Sequence, residues 1–157
     1  MFSHITVGTF NLQDAATFYD AVLQPIGLVR RQVVTSDGGV ESVCWVSPDS
    51  QLPRFYVYMP FNREPASVGN GSMVAFQAPS EAAVDAAYLA GLSAGGTDEG
   101  KPGERRHYGD GYYGAYLRDP DGNKVHVVYR GDLAMKDVTE VAKSANTGAN
   151  ARSFPQP

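Results

Sequence analysis

The feature that most restricts this chain is that it repeats itself. Laying Met73-Val74-Ala75-Phe76 on His4-Ile5-Thr6-Val7, an offset of 69 residues without a gap, brings Ser80 onto Asn11, Tyr88 onto Tyr19, Leu92 onto Leu23 and Gly96 onto Gly27. The first and last pairs are a helix start and a helix stop, and the middle pairs lie on one helix face. Agreement of cap, periodicity and terminator together is harder to obtain by chance than a few identities. In the first copy, His4 to Thr9 alternates like a strand, with Ile5 and Val7 on one face and His4, Thr6 and Gly8 on the other. Asn11 then caps a helix carrying Ala15, Phe18, Tyr19, Val22 and Leu23 at helical spacing, and Pro25 and Gly27 stop it. Residues 28–35 and 40–46 are β-rich around Ser36-Asp37-Gly38-Gly39, and Phe55 to Met59 makes a further short strand. The order is β-α-β-β-β. The second copy gives the same order: Ser80 caps a helix with Val84, Ala87, Tyr88 and Leu92 on its apolar side, Gly95-Gly96 ends it, and a short strand, a polar loop and a hairpin follow.

The expected fold is therefore α+β: two tandem βαβββ modules, each with a four-stranded, mostly antiparallel sheet and a helix outside it, because an amphipathic helix must bury its stripe on a sheet. The divisions fall at 1–59 for the first module, 60–72 for a connector carrying Pro65, Gly69, Asn70 and Gly71, 73–130 for the second module, and 131–157 for an appendage. A short helix near Asp137 to Lys143 is expected in that appendage, with a small, polar and flexible end.

His107 to Arg130, HYGDGYYGAYLRDPDGNKVHVVYR, ends the second copy with its strongest local signal. Asp119-Pro120-Asp121-Gly122-Asn123 is a dense turn, with Pro120 early and Gly122 or Asn123 able to take positive φ. The strands on either side form a hairpin. On its second strand Val125, Val127 and Tyr129 share one face, and His126, Val128 and Arg130 the other. The more apolar row belongs to the core, so His126, like His4 on the first strand, stands on the face away from the helix.

Composition closes several functional classes. Net charge is -4, and no run of Lys or Arg forms a stripe, which argues against nucleic acid or an anionic membrane as partner. Cys44 is the single cysteine, so no internal disulfide and no Cys/His zinc spacing is possible, and a reducing cytoplasm suits the chain. The start, Met-Phe-Ser-His-Ile, lacks the basic and long apolar segments of a signal peptide, and no apolar run is long enough to span a bilayer.

The two βαβββ units, the histidine on the first strand and the DPDGN hairpin resemble the vicinal oxygen chelate superfamily. That superfamily holds glyoxalase I, extradiol dioxygenases, and bleomycin- and fosfomycin-resistance proteins. The resemblance covers about residues 2–130 and is nearest to small glyoxalase-like members, through FSHITVG, AATFYDAVLQPIGL and HYGDGYYGAYLRDPDGNK. It implies mixed sheets curled into an open cup, a small-molecule ligand and a homodimer. It also implies metal ligands pointing inward from the first and last strand of each module: His4, one of Tyr56, Val57 or Tyr58, Met73, and His126. The pattern is altered here, because Met73 stands where relatives carry His or Glu, and a thioether does not suit the Fe, Mn, Ni or Zn chemistry of the family. His4 and His126 are the candidate metal ligands, with a third donor from Glu104, His107, Asp110, Tyr56 or substrate oxygens. Tyr56, Tyr58 and His107 are candidate bases, and Met73, Tyr108, Tyr113 and Arg118 candidate pocket residues. Two functions follow from the resemblance. One is a divalent-metal-assisted lyase, isomerase or dioxygenase acting on a substrate with adjacent oxygens; the other is a metal-free module that sequesters an aromatic molecule, as resistance-type relatives do.

Overall fold

A computed structural model describes residues 2–33 and 39–134. The elements run β1 (His4–Gly8), α1 (Leu12–Leu23), β2 (Val29–Arg31), β3 (Ser42–Val46), β4 (Arg54–Tyr58), β5 (Val74–Gln77), α2 (Glu81–Ser93), β6 (Thr97–Glu104), β7 (Tyr112–Arg118), β8 (Lys124–Arg130) and a final turn of helix, α3 (Gly131–Ala134). The helix expected over Asp137 to Lys143, most of the Ser36–Gly39 turn and the tail lie outside the described residues. Two four-stranded sheets result, β1-β4-β3-β2 and β5-β8-β7-β6. In each, the first and last strands of the module pair in parallel and the other pairs are antiparallel. This is the tandem α+β architecture expected from the repeat. β6 differs from expectation: it runs eight residues, not a short segment, and register shifts interrupt its pairing with β7.

Both helices begin as the sequence directs. The Asn11 side chain accepts from the amides of Gln13 and Asp14, and the Ser80 hydroxyl accepts from Ala83. After α1 a turn of 3-10 helix, Gln24–Ile26, ends at Gly27 with φ 86°, a left-handed conformation that glycine adopts without penalty.

One core serves both modules. Tyr19 packs on Phe55 and Trp45, with ring centroids 4.8 and 5.5 Å apart, and Phe55 meets Phe76 of β5 edge to face at 5.0 Å. Helix α2 lies so close to α1 and β7 that a Cβ on Gly91 would come within 2.7 Å of Leu117 and 2.8 Å of Val22. Val7 joins this core, but Ile5 is 38% exposed, because β1 is the edge strand of its sheet and Ile5 lines the cleft between modules.

The DPDGN turn clasps the second module to the first. The Tyr19 hydroxyl donates to the buried Asp119 carboxylate (2.9 Å), the Asn123 side-chain amide donates to the Gly8 carbonyl (2.9 Å), and the Phe10 amide and Thr9 hydroxyl donate to Asp121. Gly122 takes the positive φ, 91°, that closes the turn. Among the described residues no helix is long and apolar enough to cross a membrane.

Candidate functional site on the helix-free sheet faces

Strand register decides which side chains share the faces turned away from α1 and α2. In the first sheet Thr6 pairs with Tyr56, Tyr56 with Cys44, and Cys44 with Arg31. His4 pairs with Arg54 on the same face. In the second sheet Ala75 pairs with His126, His126 with Tyr116, and Tyr116 with Gly100. Because Ala75 repeats Thr6, Tyr56 holds the register position in the first sheet that His126 holds in the second.

His126 is 1% exposed and closely held. Its imidazole stacks on Tyr116 (4.2 Å between centroids, 12° between planes) and lies nearly parallel to Tyr112 (5.9 Å, 13°). The slot exists because Gly114 separates the two tyrosines: a Cβ there would come within 2.5 Å of the His126 ring. Nδ1 lies 2.9 Å from the Ala115 carbonyl, and Nε2 lies 3.0 Å from the Tyr112 hydroxyl. A carbonyl can only accept, so Nδ1 carries the proton, and Nε2 accepts from Tyr112. Burial lowers the pKa of His126, keeping the ring neutral, and the charges of Arg105 and Lys124 act in the same sense. Tyr108, 58% exposed, extends the aromatic row with tilted ring contacts to Tyr112 (5.1 Å, 46°) and His107 (4.1 Å, 48°). Burial, and next the Tyr108 hydroxyl, raise the pKa of Tyr116. Lys124 and Arg105 stand 5.0 and 5.7 Å from the Tyr116 ring centre.

The other expected site residues have partners of their own. His4 is exposed on β1, with its Nδ1 3.0 Å from the Ser3 hydroxyl and its ring edge-on to Tyr56 at 5.8 Å. It makes no hydrogen bond or ring contact with His126. The Tyr56 hydroxyl accepts from Arg54 (3.1 Å). Tyr58 is half-buried beside Thr6, Val40 and the exposed Phe61. Met73 and Arg118 line the cleft under the connector, where Arg118 is already paired with Glu99 at 2.7 Å. Tyr113 turns to the helix side, where its hydroxyl donates to Asp85 of α2 (2.9 Å), because odd-numbered residues of β7 face the core. Glu104, at the end of β6, pairs with Arg106 in the loop that follows, and His107 lies beside Tyr108. Reading the Tyr-x-Gly-x-Tyr run of β7 at period two would have found the slot around His126 from sequence alone.

These positions do not fit the family's metal as they stand. A guanidinium 3.1 Å from the Tyr56 oxygen opposes a cation there, Met73 is a soft donor, and the Nε2 lone pair of His126 is occupied by Tyr112. Among the described residues no group of three or more His, Cys, Asp or Glu side chains converges.

The Glyoxalase/Bleomycin resistance protein/Dioxygenase superfamily is matched over residues 1–127, and the chain belongs to it. A glyoxalase/bleomycin resistance protein from Albidiferax ferrireducens T118 is 40% identical, with a TM-score of 0.69 over 83% of this chain and 98% of that one. A glyoxalase-related enzyme from Fulvimarina pelagi (18% identity, TM-score 0.60, covering 83% and 88%) and lactoylglutathione lyase from Agrobacterium tumefaciens (22%, 0.56, covering 87% and 98%) share the fold. No curated protein matches the chain at a significant level.

Proposed function

We propose that the chain is a small-molecule pocket protein that holds a planar aromatic ligand on its helix-free sheet faces through side chains, without needing a bound metal. The observation that carries this reading is the state of His126: both nitrogens are satisfied within the protein, and its ring is built into a wall of Tyr112, Tyr116 and Tyr108. Such a wall offers flat apolar surface with hydroxyls at its rim, which suits an aromatic molecule carrying oxygens.

A second reading, a divalent-metal-assisted lyase, isomerase or dioxygenase, is favoured by one detail. The Ala115 carbonyl fixes the proton on Nδ1, the tautomer a ligating Nε2 requires, so rotation of Tyr112 would free a donor. Catechol, a planar ring with two adjacent oxygens, separates the two. Protein purified without an affinity tag is assayed for metal by mass spectrometry and then titrated with catechol by NMR, with and without Fe(II), Mn(II), Ni(II) or Zn(II). The first reading expects sub-stoichiometric metal and catechol-dependent shifts at Tyr108, Tyr112 and His126 in metal-free protein. Stoichiometric metal, or shifts only after metal is added, would replace it with the second. The homodimer expected from the resemblance gives exposed Phe61, 86% accessible, a partner surface, and light scattering on the same sample measures its mass.

A further inference from the structure

The helix-free face of the first sheet carries two arginines that nothing described in the chain neutralises. Arg31 and Arg54 flank a groove of about 360 Å³ lined also by Gln32, Val33, Cys44 and Tyr56. Both guanidiniums are held in place by neutral acceptors. Arg31 Nη1 donates to the Gln51 side-chain oxygen (3.0 Å), Arg54 Nε donates to the Gln51 carbonyl (3.1 Å), and Arg54 Nη1 donates to the Tyr56 hydroxyl (3.1 Å). A single residue, Gln51, thus anchors both cations. Among the described residues neither reaches a carboxylate, whereas Arg30 is paired with Asp20, Arg106 with Glu104, and Arg118 with Glu99. The floor adds no negative charge, because burial raises the pKa of the Cys44 thiol and keeps it protonated.

Two like charges held on one rim by uncharged partners repel each other, and each guanidinium has more N–H donors than these anchors take. An oxyanion between them would remove the repulsion and take charge-assisted hydrogen bonds in the fork geometry that guanidinium offers. We infer that this groove is an anion subsite: Arg31 and Arg54 receive the carboxylate or phosphate of a small organic acid, over Tyr56 and Cys44. The inference rests on the reading that the helix-free faces bind the ligand, and it specifies that ligand as an anion.

The test is an amide NMR titration of the full chain at constant ionic strength set with sodium chloride, using inorganic phosphate, benzoate and benzyl alcohol. The expected result is saturable shifts at Arg31, Cys44, Arg54 and Tyr56 with phosphate, benzoate or both, and none at those residues with benzyl alcohol. A response to phosphate alone assigns a phosphoryl ligand, and a response to benzoate alone a carboxylate. Arg31→Gln and Arg54→Gln should each weaken the responding anion at least tenfold. Arg31 sits on the exposed rim, so its variant keeps the test valid if Arg54→Gln unfolds. Two results overturn the subsite: those four amides stay unmoved at saturating anion, or Arg31→Gln binds as tightly as wild type. If the aromatic probes instead shift only Tyr108, Tyr112 and His126, the anion subsite falls and the aromatic pocket stands. If the arginine groove responds while no probe moves the tyrosine row, the reverse holds.

Discussion

Replacing Gly114 by Ala places a methyl group where the His126 imidazole now lies. The new Cβ would be 2.5 Å from Cε1, 3.2 Å from Nε2 and 3.1 Å from the Val127 carbonyl oxygen, all inside ordinary van der Waals contact. The imidazole has little freedom to yield, because Tyr112 and Tyr116 flank it and the Ala115 carbonyl ties its Nδ1. Overpacking of this kind costs roughly 1–3 kcal/mol. Losing one of the two His126 hydrogen bonds in a buried setting adds roughly 1–3 kcal/mol. The stiffer alanine backbone in a strand returns about 0.5–1 kcal/mol. The net expectation is a destabilisation of about 2–4 kcal/mol, and a fall in Tm of roughly 5–15 °C for a chain of this size. Urea unfolding followed by circular dichroism measures the first quantity, and the ring nitrogen shifts of His126 report whether the Nδ1–H tautomer survives. Gly103→Ala is the matched control. Its Cβ would meet only the end of the Arg105 side chain, at 3.1 Å, so it should stay within about 0.5 kcal/mol of wild type. If Gly114→Ala unfolds like wild type and keeps the His126 tautomer, the slot does not hold the ring as argued.

Two further outcomes follow from the same geometry. Burial holds the His126 pKa below its ordinary value, so the neutral ring contributes stability that is present above the unfolded value near 6.5 and is lost as pH falls toward the folded value. The urea midpoint of wild type should therefore drop from pH 7.5 to 5.5 more steeply than that of His126→Phe, and parallel profiles would refute the assignment. In the inter-module clasp, Asp119→Ala strands the Tyr19 hydroxyl and the donors of Asp121 and Asn123, for an expected loss of about 3–5 kcal/mol. Tyr19→Phe should cost less, and the two should couple by about 1–3 kcal/mol in a double-mutant cycle, with simple additivity counting against the clasp.

The architecture was legible because it depends on local signals that the two modules share: Asn11 and Ser80 cap, Gly27 and Gly95 take left-handed φ, and the apolar positions of α1 and α2 fall at helical spacing. Less legible were features set by strand pairing. The length of β6 escaped because Thr97 to Glu104 carries Gly, Pro and charge, and it is held by pairing with β7 and not by propensity. Tyrosine suits either face of a strand, and only the parity of Tyr113 on β7, with Asp85 on α2, sends it inward and not to the pocket face. The two histidines stand on the first strand of one module and the last strand of the other, and their surroundings differ: His4 stands on an exposed edge strand, whereas His126 has a partner strand on each side. The arginine groove left no contiguous signature, since Arg31, Gln51 and Arg54 meet only after β2, β3 and β4 pair.

The register also shows why the two halves of a duplicated unit do different work. Across the first sheet the row is Thr6, Tyr56, Cys44, Arg31; across the second it is Ala75, His126, Tyr116, Gly100. In the second row the side chains fill the face themselves: the imidazole lies in the space left by Gly114, Tyr116 stacks on it, and Gly100 offers no side chain beyond. In the first row a small buried thiol sits between a phenol and a guanidinium, and that low centre opens the groove. A wall that satisfies its own polar groups is suited to rigidity, and a groove rimmed by cations that reach no carboxylate among the described residues is suited to a ligand. Under the two readings proposed above, the first module would supply the charge that holds an anion, and the second would supply an aromatic surface. Substitutions in the two rows should separate accordingly, with Arg31 and Arg54 changes acting on affinity and Gly114 and His126 changes acting first on stability.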